Sequence, residues 1–117
     1  MTNTWIGLGR LASDPQLRHA DSGTPVNTMR VAVPRHGDDD RADFVSVVCF
    51  NRLAEACAAH LSTGRQVLIE GSIRQQTWTD KDTQERRGRI EIVARRVQFL
   101  GAPRQEADEP SEDQVAA

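Results

Sequence analysis

Aromatic residues, cysteine and long apolar runs are scarce in this 117-residue chain. Their scarcity excludes a disulfide framework and a transmembrane helix. Aromatics make up 4% of the residues, with three Phe, two Trp and no Tyr, so each ring needs a physical reason to be present. Two Cys are too few for a disulfide framework, which favours a reducing, cytoplasmic compartment. Apolar runs of a few residues exclude a transmembrane helix, and the first ten residues lack the pattern of a signal peptide.

The charge of the chain is unevenly distributed. The net charge is −2, but residues 102–117 carry one Arg and five acidic side chains, so residues 1–101 are mildly basic. All but one of the 15 cations are Arg, the cation best suited to bidentate phosphate contact and to stacking on flat rings. Codon bias in a GC-rich genome explains this preference equally well. Residues 102–117 contain almost nothing to bury, so we predict a disordered acidic tail there.

Hydrophobic periodicity predicts short strands and one helix. The predicted strands cover residues 3–12 (resumed at 16–18 after a break at Asp14-Pro15), 26–34, 44–50, 65–78 and 89–100, and the helix covers 52–62. Polar loops are expected at 35–43 and 79–88. Asn51 is the predicted helix N-cap, and Gly64 is expected in the left-handed conformation after the helix.

Three of these strands are expected to be irregular. In residues 89–100 the apolar positions change from even to odd numbers, which a β-bulge near Arg95-Arg96 allows. Gly71 marks a kink, and Gly7 and Gly9 mark a bend or a close approach to another backbone. Five strands with a helix between the third and fourth fit an all-β, five-stranded, partly closed barrel of the OB type, which is one of several small β architectures.

The strand at 44–50 places Phe44 and Phe50 on one face, and Trp78 ends the next strand beside a polar loop. Spacing alone leaves two interpretations open. In the first, the two Phe belong to the core and Trp78 covers the barrel. In the second, the three rings are exposed because nucleobases stack on them, at about 1–3 kcal/mol per base. Arginines spread along the strands would then follow the phosphates.

Catalytic and metal sites find little support in the sequence. Cys49 and Cys57 are predicted to be buried structural thiols, although a nucleophile–base pair of Cys57 and His60 is the enzymatic alternative. The Cys and His spacings fit no metal site, and residues 38–40, three consecutive Asp, are predicted to form a solvated acidic loop instead of a cation site. We therefore predict no catalytic residue, no metal and no cofactor.

Four collinear segments resemble the bacterial single-stranded DNA-binding protein family. They read GRLASDPQLR at 9–18, DFVSVVCFNRLAE at 43–55, GRQVLIEGSIRQQTWTD at 64–80 and VQFLG at 97–101. The resemblance implies an OB-fold domain over residues 1–101 that forms a homotetramer (or homodimer). It also implies binding of single-stranded DNA with little sequence preference during replication, recombination or repair. The expected location is the cytoplasm, in association with the nucleoid.

The resemblance also assigns roles to individual residues. The base-stacking aromatics of the family correspond to Phe44, Phe50 and Trp78, and its phosphate-contacting cations correspond to Arg52 and Arg74. The predicted DNA-binding set is completed by three further arginines on predicted strands, Arg10, Arg18 and Arg30.

The chain departs from the family pattern at three places. His36-Gly37 stand where a further aromatic is common, and Gln76-Thr77 stand where cations are common. The sequence closes on QVAA at 114–117 instead of an apolar dipeptide and Phe, which argues against recruitment of replication and repair proteins. The chain is therefore interpreted as a divergent or accessory member. An OB-fold primosome-type adaptor, or an interaction module with weak or no DNA binding, is the alternative function. The role of Trp5, at a subunit interface or as a stacking surface, stays open.

Overall fold

Strands make up most of the structure. The computed structural model describes residues 1–101, without the side chains of residues 38–40. Its elements in chain order are β1 (Trp5–Leu11), β2 (Gln16–His19), β3 (Pro25–Arg35), β4 (Asp38–Phe50), α1 (Asn51–His60), β5 (Gln66–Thr79) and β6 (Arg86–Leu100). The tail predicted at 102–117 lies outside the described residues. In the part of the chain described, no helix combines the length and the apolarity needed to cross a membrane.

Five of the strands close into a barrel. The sheet order is β1-β5-β6-β4-β3, and β1 closes the ring by pairing with β3 at Arg10↔Ala32 and Leu11↔Val31. Neighbouring strands are antiparallel except β4 and β6, which are parallel. The short β2 pairs with β3 outside the ring, because the chain bends between residues 12 and 15. The ring, with α1 between its third and fourth strands, confirms the predicted OB-type barrel.

Side chains alternate between a sealed core and an outer face. On β3 and β4, the buried residues include Met29, Val31, Val47 and Cys49. As the alternation predicted, Met29 and Val31 share one face of β3, and Val47 and Cys49 share one face of β4. Phe99 is the aromatic residue of the core and is 3% exposed. The other core residues are Leu11, Ala54, Cys57, Leu61, Val67, Ile69, Ile92, Ala94 and Val97.

The helix α1 follows β4 without a loop. The predicted N-cap, Asn51, is instead the first helical residue, and no side chain caps the helix. Asn51 has a φ of 61°, a left-handed conformation that Asn tolerates better than most residues, and this conformation makes the corner between strand and helix. The Asn27 side-chain amide donates to the Ala54 carbonyl oxygen at 2.8 Å and ties α1 to β3. Gly64 has the predicted left-handed conformation, with a φ of 90°.

Both long hairpins extend further than the sequence predicted. The predicted loop at 35–43 is mostly strand, with a turn at His36 and Gly37, and the predicted loop at 79–88 is reduced to residues 80–85. The backbone groups of polar residues form strand hydrogen bonds just as those of apolar residues do. The polar ends of these strands therefore gave no hydrophobic pattern from which they could be predicted. Ion pairs at 3.1 Å, Arg35–Asp43 and Arg87–Asp80, link side chains within the two hairpins.

The predicted β-bulge in β6 is confirmed. Glu70 pairs with Arg96 and Gly71 pairs with Ala94, so Arg95 is an extra residue on β6. The bulge lets apolar residues on both sides of it face the core. Gly71 lies opposite, where a β-carbon would collide with the backbone carbonyl of the facing strand, so the kink expected there is a close approach of two strands.

Substitution of Gly71 by Ala is expected to destabilise the protein. The new β-carbon would meet the Val93 carbonyl, which cannot move without disturbing the β5–β6 pairing. We expect a loss of about 1–3 kcal/mol, typical of overpacking, measured by urea unfolding. Gly88→Ala is the matched control, because its β-carbon would lie 3.3 Å from the nearest atom, the Gln76 carbonyl oxygen. Equal unfolding midpoints for the two variants would contradict this explanation of Gly71.

Candidate nucleic-acid interface

Three of the five aromatic residues lie at the surface. Phe44 is 55% exposed and Trp78 is 44% exposed, while Phe50 is half-buried on the outer face of β4. The interpretation that placed Phe44 and Phe50 in the core is therefore wrong. The remaining ring outside the core interior, Trp5, is partly buried against the core and lies across Gly7, whose missing side chain leaves room for it.

A groove of about 260 Å³ crosses the outer face beside Phe50. Arginines reach it from three strands: Arg18 from β2, Arg74 from β5 and Arg89 from β6. The other residues that line it are Ala20, Val26, Thr28, Val48, Gln76 and Glu91. The strand order β5-β6-β4-β3-β2 brings these side chains together, although they are distant in the sequence.

Each of the three guanidinium groups in the groove has a neighbour that holds it. Arg18 Nη1 donates to Thr28 Oγ1 at 2.7 Å. The guanidinium carbon of Arg89 lies 5.9 Å from the ring centroid of Trp78, a cation–π distance that joins this ring to the groove. Arg74 donates to the carboxylate of Glu91. The groove thus presents cations in defined positions.

Phe44 and Arg30 form a second aromatic–cation pair along the same strands. The Arg30 guanidinium carbon lies 4.9 Å from the Phe44 ring centroid. Phe44 is six residues from Phe50 on β4, which at about 3.3 Å per residue places the two rings roughly 20 Å apart. Exposed rings and cations therefore continue beyond the groove itself.

Two predicted DNA-binding residues lie elsewhere. Arg10 Nη1 donates to the Gly64 carbonyl at 3.1 Å, and Arg10 lines a separate cavity between β1 and β3. Arg52 is exposed in the first turn of α1 and does not line the groove. Of the eight predicted residues, the structure gathers Phe50, Arg18 and Arg74 in the groove, with Trp78 beside it and the Phe44–Arg30 pair further along.

The β5–β6 hairpin contributes three groove residues that were absent from the predicted set: Gln76, Arg89 and Glu91. The register of the β5–β6 hairpin sets Gln76 opposite Arg89 and Arg74 opposite Glu91. The length of the turn at residues 80–85 fixes the register between β5 and β6. With that length known, the cross-strand pairs could have been predicted from the sequence. The polar composition of that segment concealed the turn.

The two cysteines are buried in the core. A hydrogen bond between the thiols of Cys49 and Cys57 raises the pKa of Cys57 far above its usual range, and burial raises it further. The thiolate is the reactive form of cysteine, so this environment opposes the enzymatic alternative built on Cys57 and His60. In residues 1–101, apart from the undescribed side chains at 38–40, no three His, Cys, Asp or Glu residues are grouped to hold a metal ion.

Modification of Cys57 by a thiol reagent is expected to be slow in the folded protein. The raised pKa keeps the thiol protonated at pH 8, and burial keeps reagents away from it. The reaction with a chromogenic disulfide should be about tenfold slower or more in buffer than in guanidinium chloride, where both thiols become accessible. Rapid reaction of the folded protein at neutral pH would revive the thiol-enzyme hypothesis.

The closed five-stranded barrel, with aromatic rings and guanidinium groups on its outer face, defines an OB-fold binding protein. The profile of the single-strand binding protein family matches residues 2–100, and the chain belongs to this family. The predicted resemblance is thereby confirmed.

Similar proteins come from diverse bacteria. The single-stranded DNA-binding protein of Thermotoga maritima is 40% identical over 119 residues, which cover 97% of this chain and 84% of the relative. The protein of the same name from Caldanaerobacter subterraneus is 38% identical, over 86% of this chain and 69% of its own length. Single-stranded DNA-binding protein 2 of Chlorobaculum tepidum is 34% identical, with coverages of 94% and 78%.

Proposed function

We propose that the protein binds single-stranded DNA with little sequence preference and protects it during replication, recombination or repair. The observation that carries the proposal is the groove in which Phe50 lies beside Arg18, Arg74 and Arg89, with Trp78 at its edge. Every nucleobase has a flat face, so stacking on these rings does not depend on sequence. Guanidinium groups along the groove attract the phosphates. The protein acts by binding, without a chemical step.

The expected affinity of one subunit is modest. Three rings at about 1–3 kcal/mol each contribute roughly 3–9 kcal/mol of gross stacking free energy. Micromolar binding needs about 8 kcal/mol, and ordering the strand offsets part of the gross gain. Several subunits on one strand raise the effective concentration of each further contact. Assembly of subunits therefore belongs to the proposed function.

We infer a homotetramer or homodimer. An apolar patch on the outer face of β1 and β5 supports this inference: Ile6 is 59% and Leu8 is 46% exposed, and the half-buried Leu68 pairs with Leu8 across the sheet. Exposed apolar patches of this kind mark protein–protein interfaces. The family resemblance implies the same assembly.

Light scattering should give a mass that is two or four times the 13.0 kDa of one chain. Leu8→Glu is expected to lower this mass, because a carboxylate in an apolar interface loses its hydration. Leu17→Glu is the control, since Leu17 is 40% exposed but lies on β2, away from the patch. A monomeric wild-type protein, or equal masses for the two variants, would refute assembly through this patch.

The adaptor and interaction-module alternatives are not favoured. Residues 2–100 match the single-strand binding protein family, and two exposed rings, Phe44 and Trp78, lie beside cations. Recruitment of replication or repair proteins is not part of the proposal. The proposed site of action is the cytoplasm, at the nucleoid, where single-stranded DNA arises.

The combined substitution Phe50→Ala and Trp78→Ala tests the proposed function. Loss of two stacking surfaces is expected to weaken binding of an oligo-dT strand by about tenfold or more, measured by fluorescence anisotropy of the labelled strand. Ile90→Ala is the control, because Ile90 is 62% exposed on β6 but does not line the groove. An unchanged affinity of the double variant would eliminate the stacking mechanism.

Duplex DNA of equal length completes this experiment. Paired bases cannot stack on the rings, so the duplex should bind far more weakly than the single strand. Binding of the single strand should also weaken as salt concentration rises, because phosphate contacts release counterions. Equal binding of both forms would identify a purely electrostatic binder.

A further inference from the structure

Glu91 is a buried carboxylate in a groove proposed to receive phosphates. It is 3% exposed and, among the side chains described, it is the charged one that is buried. It lies on β6 between Ser46 of β4 and Arg74 of β5. A carboxylate repels phosphates, and a buried charge is unfavourable unless it is paired. The presence of Glu91 therefore requires an explanation beyond general attraction for DNA.

Arg74 is the partner that stabilises this carboxylate. Its Nη2 and Nε atoms lie 2.5 Å and 3.2 Å from Glu91 Oε1. The Arg74 side chain is still 44% exposed, while that of Glu91 is 4% exposed. The pair thus has a buried acidic end and an exposed cationic end. A guanidinium group has five N–H donors, so three remain for another ligand.

The Glu91–Arg74 contact differs from those of the other groove arginines. Arg18 is held by a neutral hydroxyl group and Arg89 by an aromatic ring. Charge-assisted hydrogen bonds from two donors to a carboxylate are stronger than either contact and more directional. Arg74 is therefore the most firmly held cation of the three.

We propose that Glu91 is a positioning residue, which fixes the guanidinium of Arg74 so that its free donors meet a phosphate of the bound strand. The inference rests on the proposed binding of single-stranded DNA. An arginine held in this way loses less conformational freedom when DNA arrives, because the salt bridge has already ordered the side chain. Glu91 thus favours DNA binding although its own charge opposes it.

A charge effect and a positioning effect predict opposite changes in DNA affinity for the substitution Glu91→Gln. If charge alone governs the groove, Glu91→Gln removes a repulsive carboxylate and tightens DNA binding. If Glu91 positions Arg74, the same change weakens binding although the protein becomes more positive. Glu55→Gln is the matched control, because it removes the same charge from an exposed position on α1, outside the groove.

The experiment is a titration of the full chain with labelled oligo-dT at two salt concentrations. We expect Glu91→Gln to weaken binding by about three- to tenfold at both. Glu55→Gln should bind as the wild type does or slightly more tightly. Circular dichroism and unfolding midpoints verify that the variants are folded. An affinity of Glu91→Gln equal to or above that of the wild type would overturn the proposal.

A double-mutant cycle separates positioning from a purely structural role. In a background of Arg74→Gln, the further change Glu91→Gln is expected to cause no additional loss of affinity, because the residue through which Glu91 acts is already absent. A loss equal to that seen with Arg74 present would refute the proposal.

A second variant keeps the proposal testable if Glu91→Gln does not fold. Arg74→Lys retains the charge but replaces the planar fork by a point donor, so it should weaken binding by about the same three- to tenfold. Wild-type affinity of Arg74→Lys would overturn the proposal. Failure of the wild-type protein itself to bind oligo-dT would instead refute the proposed function, so the two failures are distinguishable.

Discussion

The extra residue at Arg95 decides which side chains of β6 face the groove. Side chains alternate along a strand with a period of two, and the apolar residues that follow the bulge face the core. In a regular strand, that register would turn Glu91 into the core and Ile92 to the outside. The bulge reverses this outcome, so Ile92 packs in the barrel and Glu91 meets Arg74. Gly71 permits the bulge because it has no β-carbon to collide with the facing strand.

The exposed rings of Phe44 and Trp78 each lie beside a cation. Arg30 lies beside Phe44 and Arg89 lies beside Trp78, each within about 6 Å of the ring, as a cation–π contact requires. Each pair joins a flat surface to a cation, which are the two features that a base and its phosphate recognise. The family resemblance places a further aromatic at 36–37, where this chain makes the tight turn of the β3–β4 hairpin. The proposed interface therefore lacks a Phe, Tyr or Trp at this turn, and its exposed rings lie close to arginine.

Local patterns in the sequence predicted more of the fold than of the site. Alternation identified the strands and both faces of β4, and the change of parity in residues 89–100 located the bulge. The hairpin ends were missed because polar residues form backbone pairs without any hydrophobic signal. The cap assigned to Asn51 was wrong because that residue makes the strand–helix corner through its backbone conformation. Whether Phe44 and Phe50 faced the core or the solvent depended on what packs against each face, which spacing does not reveal.

The amino-acid order by itself determined the periodicity of each strand, the position of the irregularity in the last strand and the resemblance to a family, because all three are encoded in consecutive residues. Only the tertiary structure decided that Arg18, Phe50, Arg74, Arg89 and Glu91 form one groove. The physical reason is that groove neighbours are set by strand order and by the register across hairpins. Both depend on hydrogen bonds between residues far apart in the chain.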